Sequence, residues 1–336
     1  MRLSDAELSS TIYQPLNPEI RSHLDPEYAA FHDKYIQYVE PDHVRPWDSV
    51  STRTRVPFPP GGSAPVPVKD VKDIELEHCT VRVFWPTGER PANGWPVFVW
   101  YHGGGWAIGG IQSENDFYTS CVIVTVGYRL APEHPYPAAV DDSLEALIWV
   151  HSEDGSRELD IDNARIAIGG TSAGGNLSLV TCLNASIFPT PIPLVFQMLI
   201  IPVIDNTATT DTVWRSRQHA PWLSPARMTW YRNMYLTAAS DAYNWSASPN
   251  LAPPDLLSKL PPSWIAVAEQ DVLAPEALDF ADRVSSLGIK VDVKIYPGMT
   301  HTILAMNGVL SQGKQLVADA AQVLREAFAD NSAQRT

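Results

Sequence analysis

Three side chains in this sequence are of the types that nucleophilic catalysis needs. Ser172 lies in Gly170-Thr171-Ser172-Ala173-Gly174, Asp271 follows the apolar run 264–268, and His301 follows the alternating run 290–296. A serine hydroxyl attacks poorly until a histidine takes its proton, and a carboxylate that fixes the histidine tautomer makes the pair effective. Arg165-Ile166-Ala167-Ile168-Gly169, just before the pentapeptide, reads as a buried strand. Gly175-Asn176-Leu177-Ser178-Leu179-Val180, just after it, reads as the start of a helix. A sharp strand-to-helix turn presents the serine to a substrate, and it crowds positions 170 and 174 so that glycine fits there. The amides that open the helix favour negative charge developing at the serine.

Acyl transfer also needs donors for an oxyanion. His102-Gly103-Gly104-Gly105-Trp106 follows a strand ending at Tyr101. Its three glycines, Gly103, Gly104 and Gly105, let backbone N–H groups approach a substrate, and the amide of Ala173 is the second candidate donor. The rival reading is a plain flexible turn. A lone histidine or aspartate is usually structural, and His301 is one of nine histidines in the chain. Asp271 has Glu269 and Glu276 as neighbours, so its selection rests on its place after the strand, where α/β sheets put functional groups.

The elements that must position these groups alternate. Apolar runs at 97–101, 121–126, 166–168, 194–201 and 264–268 alternate with helical patterns at 138–151, 174–186, 276–287 and 311–328. That rhythm predicts an α/β fold, a mostly parallel sheet covered by helices on both faces, with antiparallel edge strands near 74–77 and 81–84. Residues 70–204 and 251–330 form the expected catalytic domain. Residues 205–250, rich in Trp, Tyr and Ser, break the rhythm, and with residues 1–60 they are the expected cap. Tyr28, Phe31, Tyr35 and Tyr38 are expected on one face of a helix in that cap, outside the main core. On that reading, deleting residues 1–40 lowers activity more than stability.

The 336 residues suit one large domain with an elaboration, and 45% hydrophobic content supplies its core. A net charge of −14 argues against nucleic acid or an anionic membrane as partner. Three cysteines at zinc-unlike spacing read as buried thiols, so neither metal nor cofactor is expected. The first ten residues have no apolar signal region and no run spans a membrane, so a cytoplasmic protein is expected. A homodimer stays open.

The segment Tyr128-Arg129-Leu130-Ala131-Pro132-Glu133-His134-Pro135-Tyr136-Pro137, continuing to Asp142, closely resembles a signature of the hormone-sensitive-lipase-like esterases, microbial family IV. The His102–Trp106 stretch, Gly170 to Asn176, Asp271 with Leu273, and a late histidine match the family's other marks over roughly residues 75–325. The resemblance implies an α/β-hydrolase fold with a helical cap. It implies a Ser172–Asp271–His301 triad, in that family's chain order, and an oxyanion hole from the Gly103–Gly105 loop with Ala173. Thr171 places the chain with the G-T-S-A-G subgroup. The function it implies is a serine carboxylesterase acting on small-molecule esters with short to medium acyl chains. An amidase or a lactonase would use the same machinery. A non-catalytic receptor of the gibberellin-receptor type shares the fold, but such receptors replace the histidine that His301 supplies here.

Further expectations attach to single residues. Trp106 and Trp214 are expected to touch substrate, with Trp222, Trp230 and Tyr231 filling the cap. Arg129, Glu133 and Asp141 are expected to form a buried network at the sheet ends. Only Ile111 to Ser120 remain for the crossover between the strands at 97–101 and 121–126, where a dozen or more residues are usual. Either that helix is a stub or residues are absent between about Tyr118 and Cys121. Absence is favoured, since a bare strand face would expose apolar surface.

Overall fold

The computed structural model describes residues 11–54, 61–113 and 121–333, the side chains of 330–333 excepted. Its strands are β1 (Asp70–Glu75), β2 (Thr80–Trp85), β3 (Trp95–Tyr101), β4 (Val122–Gly127), β5 (Ile161–Thr171), β6 (Phe196–Ile200), β7 (Ser263–Ala268) and β8 (Val291–Tyr296). They form one sheet in the order β1-β2-β4-β3-β5-β6-β7-β8. β2 is antiparallel to β1 and to β4, and every other pairing is parallel. β3 is buried at all seven positions because both of its faces are covered. Val97, Val99 and Tyr101 face one core cluster and Phe98 and Trp100 the other, the period of two that a strand imposes.

The helices are α1 (Pro18–Arg21), α2 (Pro26–Lys34), α3 (Ser49–Thr54), α4 (Ala138–His151), α5 (Glu153–Leu159), α6 (Ala173–Ile187), α7 (Pro225–Tyr235), α8 (Pro254–Leu257), α9 (Ala274–Ser286) and α10 (Ser311–Ala333). α4, α6 and α9 supply one cluster through Leu147, Leu177 and Phe280. α10 supplies the other through Leu316, Ala320 and Leu324. No helix among the described residues is long and apolar enough to cross a membrane. The crossover in question between Tyr118 and Cys121 falls on residues 114–120, outside the described residues.

The N-terminal segment departs from expectation. α2 ends at Lys34, and its buried stripe is Tyr28 and His32, continued by Ile36, rather than the run of four aromatics. Ile20, Leu24, Tyr28 and Ile36 join the α10-side cluster with Phe98, Trp100 and Met299, so this stretch belongs to the core of the sheet. Polar contacts fix it there. Glu27 accepts from the Ser311 amide and hydroxyl at 2.8 and 2.9 Å, capping α10. His32 Nε2 donates to the Gln14 carbonyl at 2.7 Å, which leaves Nδ1 to accept from the buried Tyr28 hydroxyl at 3.3 Å.

The insertion at 205–250 is stitched closed at both ends. Asn206 Nδ2 donates to the Ala247 carbonyl at 2.7 Å, and Asn176 Nδ2 of α6 reaches both Val203 and Ala247 carbonyls. Glu276 on α9 accepts from the Ile204 amide and from Trp214 Nε1, both at 2.8 Å. Burial pushes the Glu276 carboxyl up to about 8, against the pull of these donors.

Two outcomes follow from this packing. Deleting residues 1–40 should lower Tm by many degrees as well as lowering activity, as differential scanning calorimetry would read. An unchanged Tm would show that the segment is dispensable to the core. A carboxyl with a raised folded pKa contributes stability below its unfolded value and loses it as pH climbs to the folded one. The Tm advantage of wild type over Glu276→Gln should therefore shrink between about pH 4.5 and about pH 8. An advantage that grows over that window would mean that Glu276 is ionised in the fold.

Candidate active site

Ser172 stands between β5 and α6 with φ 54° and ψ −118°, a conformation that side chains larger than hydrogen seldom adopt. Its surroundings impose it. The Ser172 amide donates to the Ile200 carbonyl at 2.9 Å, and its carbonyl accepts from Asn176 and Val203 amides at 3.1 Å. A Cβ at position 170 would meet the Gly174 carbonyl oxygen at 2.2 Å, and one at 174 would meet the Tyr101 oxygen at 2.0 Å. The crowding expected at this turn is thus met with backbone, which cannot step aside.

Asp271 lies just beyond β7 and is 1% exposed. One oxygen accepts from the Leu273 amide at 3.2 Å and the other from His301 Nδ1 at 2.7 Å. His301 Nε2 lies 2.9 Å from Ser172 Oγ. With Nδ1–H held by the carboxylate, Nε2 is the bare acceptor for the serine hydroxyl. Residues 129 and 30 positions apart thus meet in one hydrogen-bonded line. Glu269, the rival acid, holds the histidine loop instead, accepting from the Gly298 amide at 2.7 Å. That loop is also tied by Gln270 N to Met299 O at 2.7 Å, Asp25 N to Gly298 O at 3.0 Å and Gln312 Nε2 to Pro297 O at 2.8 Å.

Gly103, Gly104 and Gly105 line a cavity of about 160 Å³ together with Ser172 and His301. Gly104 has φ 116°, and a Cβ there would meet the Ile108 oxygen at 2.2 Å; at Gly105 it would meet the Tyr231 ring at 2.3 Å. His102 is buried, stacks on Tyr128 and bonds the Gly103 carbonyl at 2.7 Å; burial lowers it to about 4, so it stays neutral. Ala173 opens α6 behind the serine, buried and off the cavity wall. Arg53 on α3 secures the far end of the glycine loop, donating to the Ala107 and Ala131 carbonyls at 2.9 Å each.

Both tryptophans expected against substrate lie elsewhere. Trp106 is fully buried, stacked flat on Tyr235 at 4.2 Å. Trp214 is 1% exposed, its indole spent on Glu276 and its face under Arg232 at 4.8 Å. The residues of the 205–250 stretch that do line the cavity are Trp222, Leu223, Arg227, Met228 and Tyr231, joined by Thr302, Leu304 and Ala305 beside the histidine. α7 presents Arg227, Met228 and Tyr231, and Ser224 and Pro225 start it: the Ser224 hydroxyl accepts from the Arg227 amide at 3.2 Å. That Ser-Pro start was legible in the sequence, and it would have singled out the first turn of α7. The expected charge network also shifts by one residue. Arg129 grips the buried Asp142 at 2.6 Å, Asp141 is exposed, and Glu133 pairs with Arg53.

Comparison with known proteins agrees with this architecture. Residues 98–305 match the family described as alpha/beta hydrolase fold. The chain is 38% identical over 335 residues to an AB hydrolase superfamily protein of Schizosaccharomyces pombe, covering 94% of this chain and 97% of that one. It is 36% identical to the carboxylesterase NlhH of Mycobacterium tuberculosis, over 67% of this chain and 71% of the relative. An ester hydrolase from the metagenome of Lake Arreo superposes with a TM-score of 0.77 at 30% identity, covering 94% of this chain and all of the other. The chain belongs to the alpha/beta-hydrolase fold family, and within it to the hormone-sensitive-lipase-like carboxylic ester hydrolases.

Proposed function

We propose that this carboxylesterase works through an acyl-enzyme on Ser172, with His301 as the base and Asp271 as the orienting acid. The observation that carries the reading is the line from Asp271 through His301 to Ser172 Oγ, with contacts of 2.7 and 2.9 Å. Ser172 Oγ attacks the ester carbonyl while its proton passes to His301 Nε2. The carbonyl oxygen gains the negative charge, which the amides of the Gly103–Gly105 loop and of Ala173 receive. His301 then gives its proton to the leaving alcohol, and the C–O bond breaks to leave the acyl-serine. Water repeats the sequence: His301 takes its proton, the hydroxide adds to the acyl carbon, and the acid departs as Ser172 regains the proton. Asp271 stays ionised throughout and stabilises the imidazolium.

Residues 205–250 act as a cap, since their side chains roof the cavity. The N-terminal contribution to that cap is the stretch around Asp42, which pairs with Arg227 at 2.8 Å. A small roofed cavity suits acyl chains of about two to eight carbons.

Ser172→Ala should reduce hydrolysis of p-nitrophenyl butanoate by about 10⁶ with an unchanged fold. Asp271→Asn should cost about 10⁴, whereas Glu269→Gln should act mainly on stability. If Glu269→Gln proves the more damaging to kcat, the acid has been misassigned. Across p-nitrophenyl esters of increasing length, kcat/KM should peak within about two to eight carbons and fall beyond. A maximum on emulsified long-chain triglyceride would contradict the roofed cavity.

A further inference from the structure

Among the described residues, Arg227 is the one arginine or lysine in the wall of the cavity that holds Ser172 and His301. It is 2% exposed, so its guanidinium is almost wholly out of water. A guanidinium carries five N–H donors and cannot shed its charge. Nη2 donates to Asp42 Oδ2 at 2.8 Å, and the flat face of the group lies 4.2 Å from the Trp222 ring. Among the described residues, Nη1 has no hydrogen-bond partner. The Tyr231 hydroxyl neighbours the guanidinium, whose charge and N–H groups both act on it, yet no well-aligned bond reaches Nη1. A buried unpaired donor of a charged group is expensive, and native proteins keep few of them without a use.

A second, independent observation falls on the same wall. Trp222, which lines the cavity and stacks on Arg227, has φ 64°. A bulky residue in the left-handed region stores strain, and such strain gathers at ligand clamps. Arg227 Nη1 and Trp222 are therefore held in an unfavourable state side by side, on two residues that line the cavity of Ser172.

We propose that Arg227 is a specificity residue whose free Nη1 receives a neutral oxygen of the substrate (a ketone, ether or hydroxyl) lying beyond the scissile ester. The proposal rests on the esterase reading of this cavity. Charge decides for a neutral acceptor over a carboxylate. Asp42 already balances the guanidinium, and His43 beside the pair is kept neutral, first by burial and then by the Arg227 charge. The wall thus has no net charge, and a substrate carboxylate would enter it without a counter-ion of its own. A neutral oxygen fills the empty donor and adds no charge. The preferred substrates are short esters with a further oxygen in the acyl or the alcohol part.

The test compares matched esters of nearly equal shape by kcat/KM: butyl pentanoate with butyl levulinate, and butyl acetate with methoxyethyl acetate. Monobutyl succinate supplies the anionic arm. In the wild type, at least one oxygenated ester should exceed its alkyl partner by about ten- to a hundredfold, the range of a hydrogen bond to a charged donor. The ratio should fall to near one in Arg227→Lys, which keeps a charge opposite Asp42 and loses the second arm of the fork. It should fall likewise in the double variant Arg227→Met with Asp42→Asn, which strands no charge. A purely structural Arg227 would lower both members of a pair alike and leave the ratio unmoved. The proposal is overturned by wild-type ratios near one in both pairs, by a preference that survives Arg227→Lys, or by a preference for monobutyl succinate. A wild type that hydrolyses the plain butyl esters without preference refutes this inference and leaves the esterase reading standing. Failure on every ester refutes both.

Discussion

The strained backbone at Ser172 is the constraint on which the rest of the structure depends. Holding a serine near φ 54° costs about 1–3 kcal/mol, which the fold must recover from contacts that exist only in that geometry. Those contacts come from three directions. β6 accepts from the Ser172 amide, α6 and the segment after β6 donate to its carbonyl, and glycines at 170 and 174 let β3 and α6 close to backbone contact. A larger residue at either glycine would have to push main chain aside, so the elbow and the sheet order are two views of one arrangement. The same closeness brings the Gly103–Gly105 loop, which leaves β3 directly, into the cavity beside the serine.

Much of this was legible in the sequence because it is local. The glycine spacing around Ser172, the three glycines after Tyr101 and the apolar runs each state their conformation within a few residues. The order of elements then places Asp271 and His301 at adjacent strand ends, since β7 and β8 are neighbours. What was not legible depends on partners distant in the chain. Trp214 looks like any cap tryptophan until Glu276, 62 residues away, is seen to take its indole N–H. The aromatic stripe of α2 misled for a related reason. It was read as an isolated amphipathic face, while the burial that decides the matter comes from β3 and the loop after β8, and it selects Tyr28, His32 and Ile36.

The N-terminal segment shows how one stretch of chain serves two masters. Its first part packs as core beneath the histidine loop, where the Asp25 amide meets the Gly298 carbonyl at 3.0 Å and a Cβ at 298 would strike Asp25. Its next part reaches the cavity wall, where Asp42 meets Arg227 of α7 across 185 residues. α3 then returns to the glycine loop through Arg53. The segment therefore touches the His301 loop, the Gly103–Gly105 loop and the cavity wall in turn. The positions of these two loops and of α7 are coupled through it by ordinary packing.

Apart from Asp271, which faces His301, the buried arginines named around the site are each matched by a carboxylate. Arg129 is matched by Asp142, Arg227 by Asp42, and Glu276 is pushed toward its neutral form by burial. The burial that lowers His102 to about 4 likewise keeps that ring uncharged against the glycine loop. What remains unmatched inside the cavity is hydrogen-bonding capacity rather than charge. A neutral ester suits such a place: it brings no ion to be desolvated, and the charge it develops exists only while the tetrahedral centre lasts. Electrostatic stabilisation is then concentrated on the transition state, since groups that carry no net charge in the ground state bind the neutral substrate weakly.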